Sequence, residues 1–286
     1  MFKKILDKVW AFDAEWAPDP AAGRLLHGLP ESMSDADVMK EMWAKGGATE
    51  EDPTPFLKTI LCRVLTIAAV TRSRSRDGQV TLHMTSLPKD LSSEEDLKES
   101  HLIDAFLSAV GKHKPQLVGY NSVGADIRIL VQRAIVNGLT QPAFSRRPDK
   151  PWEGPDYFNK MSDWNVDLQD AVTPGWGRGN PSLNELASLS GIPGKMDVAG
   201  DQVPQMWLDG RLPEILAYNE YDALTTYLVW LRLAHFGGFF NDELYAVEQA
   251  RLKDLILAEM PTRPHFEAYL TEWNRLRRAT GQAELS

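Results

Sequence analysis

Residues 9–16 read Val-Trp-Ala-Phe-Asp-Ala-Glu-Trp, a short apolar run that carries two carboxylates at its end. Valine, phenylalanine and tryptophan favour a buried strand, and Pro18 and Pro20 stop this strand soon afterwards. Side chains two residues apart point to the same face of a strand, so Asp13 and Glu15 emerge together. Neighbouring carboxylates repel each other unless a cation lies between them, and Mg²⁺ or Mn²⁺ prefers oxygen ligands. The run therefore predicts either a metal-binding strand end or a solvated strand end with two ordinary acids.

The overall composition is that of an ordinary globular protein. The 286 residues are 43% hydrophobic and 25% charged, enough for one large domain or two small ones. A formal net charge of -9 argues against tight, non-specific duplex binding through a uniformly basic surface, but an acidic nuclease site recruits metal before phosphate. The single cysteine, Cys62, cannot form an internal disulfide and is expected to be a small core residue. No uncharged apolar stretch approaches the roughly 18 residues of a membrane span, so we expect a cytoplasmic location.

The remaining segments alternate between strand-like and helix-like patterns. Residues 21–58 are polar and interrupted by glycine and proline, with a short helix over 35–44, and they predict an insertion or lid. Apolar runs over 60–70 and 79–85 predict an antiparallel hairpin. Strands are further predicted over 116–121 and 166–172, a surface loop over 140–165, and helices over 92–109, 126–136, 183–189, 213–235, 242–259 and 265–278. This order predicts an α/β arrangement, a mixed sheet flanked by helices.

Two more acidic positions stand out because of the elements on which they lie. Residues 121–126, Asn-Ser-Val-Gly-Ala-Asp, lead from a buried strand into a helix and place Asp126 near the helix N-terminus. The helix dipole favours a carboxylate there, so a simple helix cap is one interpretation and a functional acid is the other. Tyr218 and Asp222 are four residues apart on the later long helix and share one face. Taken alone, they are also compatible with a surface tyrosine beside an ordinary acid.

Together, the motifs Asp-x-Glu, Asn-x-x-x-x-Asp and Tyr-x-x-x-Asp resemble the tyrosine-containing branch of the DEDD superfamily of 3′–5′ exonucleases. Residues 182–187, Ser-Leu-Asn-Glu-Leu-Ala, and 191–195, Gly-Ile-Pro-Gly-Lys, are similar to those of stand-alone predicted exonucleases related to the proofreading domain of B-family DNA polymerases. The resemblance covers roughly residues 8–240. It implies a ribonuclease H-like, mixed five-stranded sheet within a domain at 1–240, with 241–286 as a helical extension packed on it.

The resemblance also implies the layout of the active site. Asp13, Glu15 and Asp222 would hold one divalent ion, Mg²⁺ or Mn²⁺, and Asp13 with Asp126 a second. Two such ions stabilise the attacking hydroxide and the leaving 3′-oxygen of an in-line displacement. Tyr218 would orient the attacking water, because a tyrosine with a pKa of about 10 is a poor general base at neutral pH. The expected reaction releases 5′-nucleoside monophosphates from the 3′ end of single-stranded nucleic acid, with DNA favoured over RNA.

Substrate contacts are less strongly marked in the sequence. The family usually has an aromatic residue just before the acid of the second motif, and here that position is Ala125. Asn121 is expected either to form the turn before Asp126, the favoured interpretation, or to touch the substrate backbone. Lys195 and Arg178 lie in glycine-rich loops, where they either meet phosphates or are only solvated.

Each of the other basic and aromatic residues outside the motifs has two possible roles. These residues are Arg72, Arg74, Arg76, Trp152, Tyr157, Phe158 and Trp164. The three arginines share one face of a strand, which is either a phosphate track or a charged sheet edge. The aromatic residues occupy a proline-rich loop and either stack on unpaired bases or pack that loop onto the body. The six histidines are scattered without ligand spacing and predict no zinc site.

Two other functions compete with a metal-dependent exonuclease. A catalytically inactive nucleic-acid-binding module would keep the fold, although all four acids are present. A two-metal phosphatase acting on small nucleotides would share the chemistry but would need a closed pocket in place of an open groove.

Overall fold

A five-stranded sheet forms the centre of the protein, for which a computed structural model describes residues 2–150, 152–159, 162–173, 179–196 and 200–283. The strands are β1 Lys8–Pro18, β2 Cys62–Arg74, β3 Val80–Leu87, β4 Gln116–Gly119 and β5 Asn165–Asp167. Their order in the sheet is β3-β2-β1-β4-β5. The pairs β3–β2 and β2–β1 are antiparallel, and the pairs β1–β4 and β4–β5 are parallel. The prediction of a mixed five-stranded, ribonuclease H-like sheet with the first acid pair on its central strand is confirmed.

Helices cover both faces of the sheet. They are α1 Pro20–His27, α2 Asp35–Lys45, α3 Glu99–His113, α4 Asp126–Val136, α5 Pro142–Ser145, α6 Leu168–Val172, α7 Leu183–Leu189, α8 Val203–Leu208, α9 Leu212–Phe236, α10 Asp242–Glu259 and α11 Phe266–Ala279. On one face, Phe12 and Ala14 of β1 pack with residues of α3 and α4. On the other face, Val9 and Ala11 pack with α9, which α10 and α11 cover from outside. Within the described ranges, no helix is both long enough and apolar enough to cross a membrane.

Most predicted elements are confirmed, and the differences have local causes. The helix predicted from residue 92 begins at Glu99, because Ser93 accepts the N–H of Asp96 (3.2 Å) within a separate turn before it. The strand predicted over 166–172 is wrong beyond Asp167, whose carboxylate accepts the N–H of Gln169 (3.0 Å) and caps α6. The predicted loop over 140–165 contains the short helix α5.

Arg72, Arg74 and Arg76 do not lie along one strand face, because β2 ends at Arg74 and Arg76 lies in the turn that follows. Arg72 is 4% exposed, and its guanidinium makes a two-point contact with Glu248 of α10, with Nη2 lying 2.8 Å from Oε1. Arg74 and Arg76 are exposed. Because β2 also lies inside the sheet, with β3 at the edge, both the phosphate track and the sheet edge are wrong for Arg72.

The proline-rich loop packs onto the body at its centre. Tyr157 is 1% exposed, stacks on Phe144 with ring centroids 5.2 Å apart, and donates its hydroxyl to the Pro115 carbonyl (2.9 Å). The packing interpretation therefore holds for Tyr157. The ring of Trp164 contacts Tyr157 edge-on, whereas Trp152 remains 79% exposed.

The segment at 21–58 has more structure than its composition predicts. It contains α1 and α2, and Ser34 caps α2 by accepting the N–H of Asp37 (3.2 Å). Met39 is fully buried in a cluster that joins α2 to β1, α8 and α9, so this helix contributes to the core. Its role as a lid, and the division of the chain at residue 240, stay predictions.

Candidate active site

Three carboxylates from two elements meet beside the central strand. Asp13 lies at the middle of β1 with Glu15 two residues further on, and Asp222 lies on α9, which packs against that strand. One ligand oxygen from each side chain lies within 4.8 Å of the others, and all three side chains are half-buried. The sequence predicted that Asp13 and Glu15 share a face, and the helix brings Asp222 to that same face.

Asp126 lies next to this group, although it comes from another part of the fold. Its side chain is 3% exposed at the start of α4, and Oδ1 accepts the N–H of Ala14 at 3.0 Å. That bond ties the acid to the main chain between Asp13 and Glu15, which a simple helix cap would not do. The structure thus brings together the acids of all three motifs.

Burial raises the pKa values of these acids, and for Asp13, Glu15 and Asp126 the charges of nearby acids raise them further. Desolvation is the largest cause for Asp13, followed by the charges of Asp126, Asp222 and Glu15, and its pKa lies well above the ordinary value. Desolvation and the charges of Asp222 and Asp126 raise the pKa of Glu15 in the same way. Burial raises the pKa of Asp126 and of Asp222 to about 7. A bound cation would remove this repulsion, so the set of oxygen donors fits divalent ions such as Mg²⁺ or Mn²⁺.

Tyr218 lies one helical turn before Asp222 and interacts with its carboxylate. Desolvation, and then the negative charges of Asp222, Glu15 and Asp13, raise the pKa of Tyr218 far above its ordinary value. A hydrogen bond from Tyr218 acts in the opposite direction on Asp222 and lowers the pKa of that acid. Tyr218 is therefore a neutral phenol at physiological pH, suited to donating a hydrogen bond and unsuited to removing a proton.

Asn219, which the sequence analysis did not single out, holds Asp13 in place. The amide Nδ2 donates to Asp13 Oδ2 at 2.7 Å, and the asparagine side chain is fully buried. Its Oδ1 atom has no hydrogen-bond partner among the described residues. Sequence reasoning missed this contact because Asn219 follows Tyr218 directly, about 100° away around the helix.

Glu220, the next residue on α9, points away from the site, as its helical angle predicts. Its Oε1 accepts from Arg263 Nε at 2.8 Å and its Oε2 lies 2.7 Å from His265 Nε2, while Ser86 donates a third hydrogen bond. Burial acts to raise the pKa of Glu220, but the hydrogen bonds and the Arg263 charge hold it below the ordinary value. The helix that carries Tyr218 is thereby fixed to β3 and to the segment preceding α11.

Asp167 organises the loop before Asp126, a second role that the sequence did not reveal. Its Oδ1 accepts the N–H of Asn121 at 2.9 Å, and its Oδ2 accepts the N–H of Val123 at 3.0 Å. Asn121 has a left-handed backbone with φ 56°, a conformation that asparagine tolerates well in turns. These contacts agree with the turn-forming interpretation of Asn121, which also lines the cleft.

The two basic candidates are not part of the described site. Lys195 is exposed, its N–H donates to Asn184 Oδ1 at 2.7 Å, and it does not line the cleft described below. Arg178 lies outside the described residues. Cys62 lines the cleft but is 3% exposed, and burial raises the pKa of its thiol to about 12.

The acids open into a cleft of about 610 Å³. One wall comes from residues 51–57 and from Trp43 of α2, in the segment predicted to be an insertion or lid. Glu51, Asp52 and Asp201 add further carboxylates to the lining, and the described lining residues include no lysine or arginine. The cleft is therefore strongly acidic.

The fold and the site define a class, that of ribonuclease H-like proteins with a carboxylate centre suited to divalent ions. A family model described as a predicted 3′–5′ exonuclease related to the exonuclease domain of PolB matches residues 54–273. The chain therefore belongs to this family of hydrolases, and the expected relation to B-family polymerase exonucleases is confirmed. The match includes Asp126, Tyr218 and Asp222, and it begins after Asp13 and Glu15.

Among solved structures, the chain is similar to the family B DNA polymerase from the hyperthermophilic archaeon Pyrobaculum calidifontis, with 17% sequence identity and a TM-score of 0.45. The similarity covers 90% of this chain and 29% of the polymerase chain, so this chain spans less than a third of that polymerase. No curated protein matches the chain.

Proposed function

We propose that the protein is a metal-dependent 3′–5′ exonuclease that hydrolyses phosphodiester bonds at the 3′ end of single-stranded nucleic acid. The products are 5′-nucleoside monophosphates, and DNA is favoured over RNA because the family is related to a DNA polymerase domain. The cytoplasmic location and the tyrosine branch of the DEDD superfamily stay predictions from the sequence.

One observation carries the proposal, namely the meeting of acids from β1, α4 and α9 beside a neutral tyrosine. The oxygens of Asp13, Glu15 and Asp222 lie within 4.8 Å of one another, and Asp126 is bonded to the strand between the first two. Isolated surface acids rarely converge from three elements in this way, because their mutual repulsion destabilises the folded state.

The donor set fits two divalent ions, Mg²⁺ or Mn²⁺. Asp13, Glu15 and Asp222 would hold one, and Asp13 with Asp126 the other. When bound, such ions neutralise charge on the phosphate and lower the pKa of a water molecule. Family membership supports the use of divalent metal, and the acidic cluster provides oxygen ligands for it.

The surrounding residues of the chain supply positioning. Tyr218 stays protonated, so its hydroxyl can donate a hydrogen bond to a water or phosphate oxygen at the site. Asn219 fixes Oδ2 of Asp13, and no described residue donates a hydrogen bond to the other oxygen, which can bind a ligand. Asp167 holds the turn that leads to Asp126, so this acid is oriented before a substrate arrives.

The shape of the cleft supports a polymeric substrate over a free nucleotide. The acids lie in an open cleft of about 610 Å³ and not in an enclosed cavity. A strand end can enter such a cleft while the rest of the chain continues into solvent. A small-nucleotide phosphatase would need a pocket closed around its substrate.

An exonuclease assay on matched DNA and RNA strands tests the proposal. Single-stranded 20-mers labelled at the 5′ end are incubated with Mg²⁺ or Mn²⁺, with and without chelator, and the products are separated by length. We expect a ladder that shortens from the 3′ end, release of 5′-mononucleotides, and no reaction with chelator. The Asp13→Asn variant should be inactive, and Asp254→Asn, which changes an exposed acid of α10, should match the wild type.

Three results would contradict the proposal. Binding of the strands without any product would favour the inactive binding module. Hydrolysis of free nucleotides in preference to strands would favour the phosphatase. Full activity of purified Asp13→Asn would remove the acidic centre from the mechanism.

A further inference from the structure

An exposed aromatic side chain lies in the wall of the acidic cleft. Phe56 is 96% exposed, yet it lines the same cleft as Asp13 and Asp222. The other rings that line this cleft, such as Trp43 and Tyr120, are half-buried. Phe56 thus presents almost its whole ring to the space beside the site.

The segment around Phe56 holds its backbone in a narrow range of conformations. Pro53 and Pro55 fix their own φ angles and restrict the residues before them. Immediately after the phenylalanine, Leu57 packs onto the core and fills the space beside Gly46, where a Cβ would lie only 2.4 Å from Leu57 Cδ2. The ring therefore projects from a short, anchored stretch, which reduces the entropy lost when it contacts a ligand.

Another lining position, the residue directly before Asp126, offers no aromatic ring. Ala125, just before Asp126, lines the cleft with only a methyl group. A base entering the site cannot stack on that residue. The exposed ring that this chain offers instead, among the described lining residues, comes from Phe56 on a different segment.

The charge of the cleft makes stacking more important for affinity. Glu51, Asp52 and Asp201 surround the site acids, and the described lining residues include no lysine or arginine to attract phosphates. Electrostatic attraction of the backbone, which dominates many nucleic-acid complexes, is therefore weak on this surface. Base stacking on an aromatic ring contributes about 1–3 kcal/mol per base and does not depend on charge.

We propose that Phe56 binds the substrate by stacking on an unpaired base at the 3′ end of the strand, next to the metal-binding acids. This inference rests on the proposed exonuclease function and names a specificity residue for it. It assigns a substrate-binding role to the cleft wall formed by residues 51–57. It also implies that the enzyme recognises the base of the 3′-terminal nucleotide.

The test pairs a change in the protein with a change in the substrate. Wild type, Phe56→Ala and Phe56→Tyr are assayed on single-stranded DNA whose 3′-terminal nucleotide either carries its base or is an abasic tetrahydrofuran. Phe56→Ala should raise KM about tenfold on the strand with the base and change the abasic strand by less than about twofold. Phe56→Tyr should restore the wild-type KM, because it keeps the ring.

Phe236→Ala is the matched control, because Phe236 is also an exposed phenylalanine (81%) but lies at the end of α9 outside the cleft. It should leave both substrates unchanged. An equal loss on both strands in Phe56→Ala, or no loss on either, would overturn the stacking proposal while leaving the exonuclease function intact.

A binding measurement separates this proposal from the function on which it rests. A strand with 2-aminopurine at its 3′ terminus is titrated with each variant in Ca²⁺, and quenching of the fluorophore reports stacking. Quenching by the wild type that is lost in Phe56→Ala supports the base contact even if no hydrolysis is found with Mg²⁺ or Mn²⁺. Equal quenching by the two proteins, or no quenching by either, overturns it.

Discussion

Two regions of α9 each contain an acid, and the two acids lie in opposite electrostatic environments. Glu220 faces the segment before α11, where it forms an ion pair with Arg263 and hydrogen bonds with His265 and Ser86. Asp222, only two residues further on, faces three other acids, and its pKa is raised to about 7. One helix thus carries an acid paired with the cation Arg263 and an acid that has no cationic partner among the described residues.

The difference teaches how to separate a structural acid from a functional one. Burying a carboxylate is costly, and a cation or several hydrogen bonds must offset the cost. Glu220 receives that compensation from its own chain, as does Glu248, which contacts both Arg72 and Arg251. Asp13, Asp126 and Asp222 each accept a hydrogen bond, but no cationic side chain among the described residues pairs with them, so they are poised to bind a cation from solution.

The largest expected effect is on activity at the uncompensated end of the helix. Asp222→Asn removes a negative ligand while keeping the shape of the side chain, and we expect turnover to fall about a thousandfold, or about 4 kcal/mol. Mononucleotide release in Mn²⁺, with Asp254→Asn as the control, measures it. A loss of turnover below about tenfold would mean that Asp222 does not take part in catalysis.

The next largest effect concerns the stability that Glu220 and its partners contribute to the fold. Glu220→Gln should lower the free energy of unfolding by about 2–4 kcal/mol, because Arg263 and His265 lose their buried partner. Urea unfolding followed by circular dichroism measures this change with chelator present. Addition of metal should not rescue it specifically, and a variant as stable as the wild type would show that the contrast between the two acids is false.

Asn219 tests the boundary between the two regions. It is buried like Glu220 but bonds to Asp13, so Asn219→Leu should weaken Mn²⁺ binding about 10–100-fold, the range typical of residues that orient metal ligands. Calorimetric titration of Mn²⁺ gives the affinity without reference to activity. Unchanged affinity in the leucine variant would show that Asp13 needs no positioning.

The sequence was informative where a pattern is local and limited where partners are distant. The strand at residues 9–16 and the helix register of Tyr218 and Asp222 follow from spacing alone, and the sheet confirms β1 as its centre. The same reasoning read Arg72 as a surface residue, since nothing nearby in sequence announces Glu248 on α10.

The parts of the site that the sequence did not reveal depend on long-range contacts. Asp167 falls inside a predicted strand, and only the fold shows that its carboxylate accepts N–H groups from the turn at Asn121, 46 residues earlier. Residues 46–58 look like a solvated loop, because their composition does not show that Leu57 anchors them on the core. Such contacts become visible only after the sheet has brought remote segments together.

The smallest expected effect is on the pH dependence of folding stability, to which Asp222 and Glu220 contribute with opposite signs. In the metal-free protein, the pKa of Asp222 is about 7 in the folded state against an ordinary value of 3.8, so folding favours its protonated form. The stability that protonated Asp222 contributes is fully present below its pKa in the unfolded chain. It is lost as the pH rises through its pKa in the folded protein. Glu220, whose pKa is lowered, instead contributes stability that is lost as pH falls.

Asp222→Asn should therefore raise the free energy of unfolding at pH 8 in chelator by about 1 kcal/mol, after allowance for solvent screening, and change it little at pH 4. Urea titrations at the two pH values measure the difference, and an equal change in the free energy of unfolding at both would show that burial does not raise the pKa of Asp222 in the folded protein.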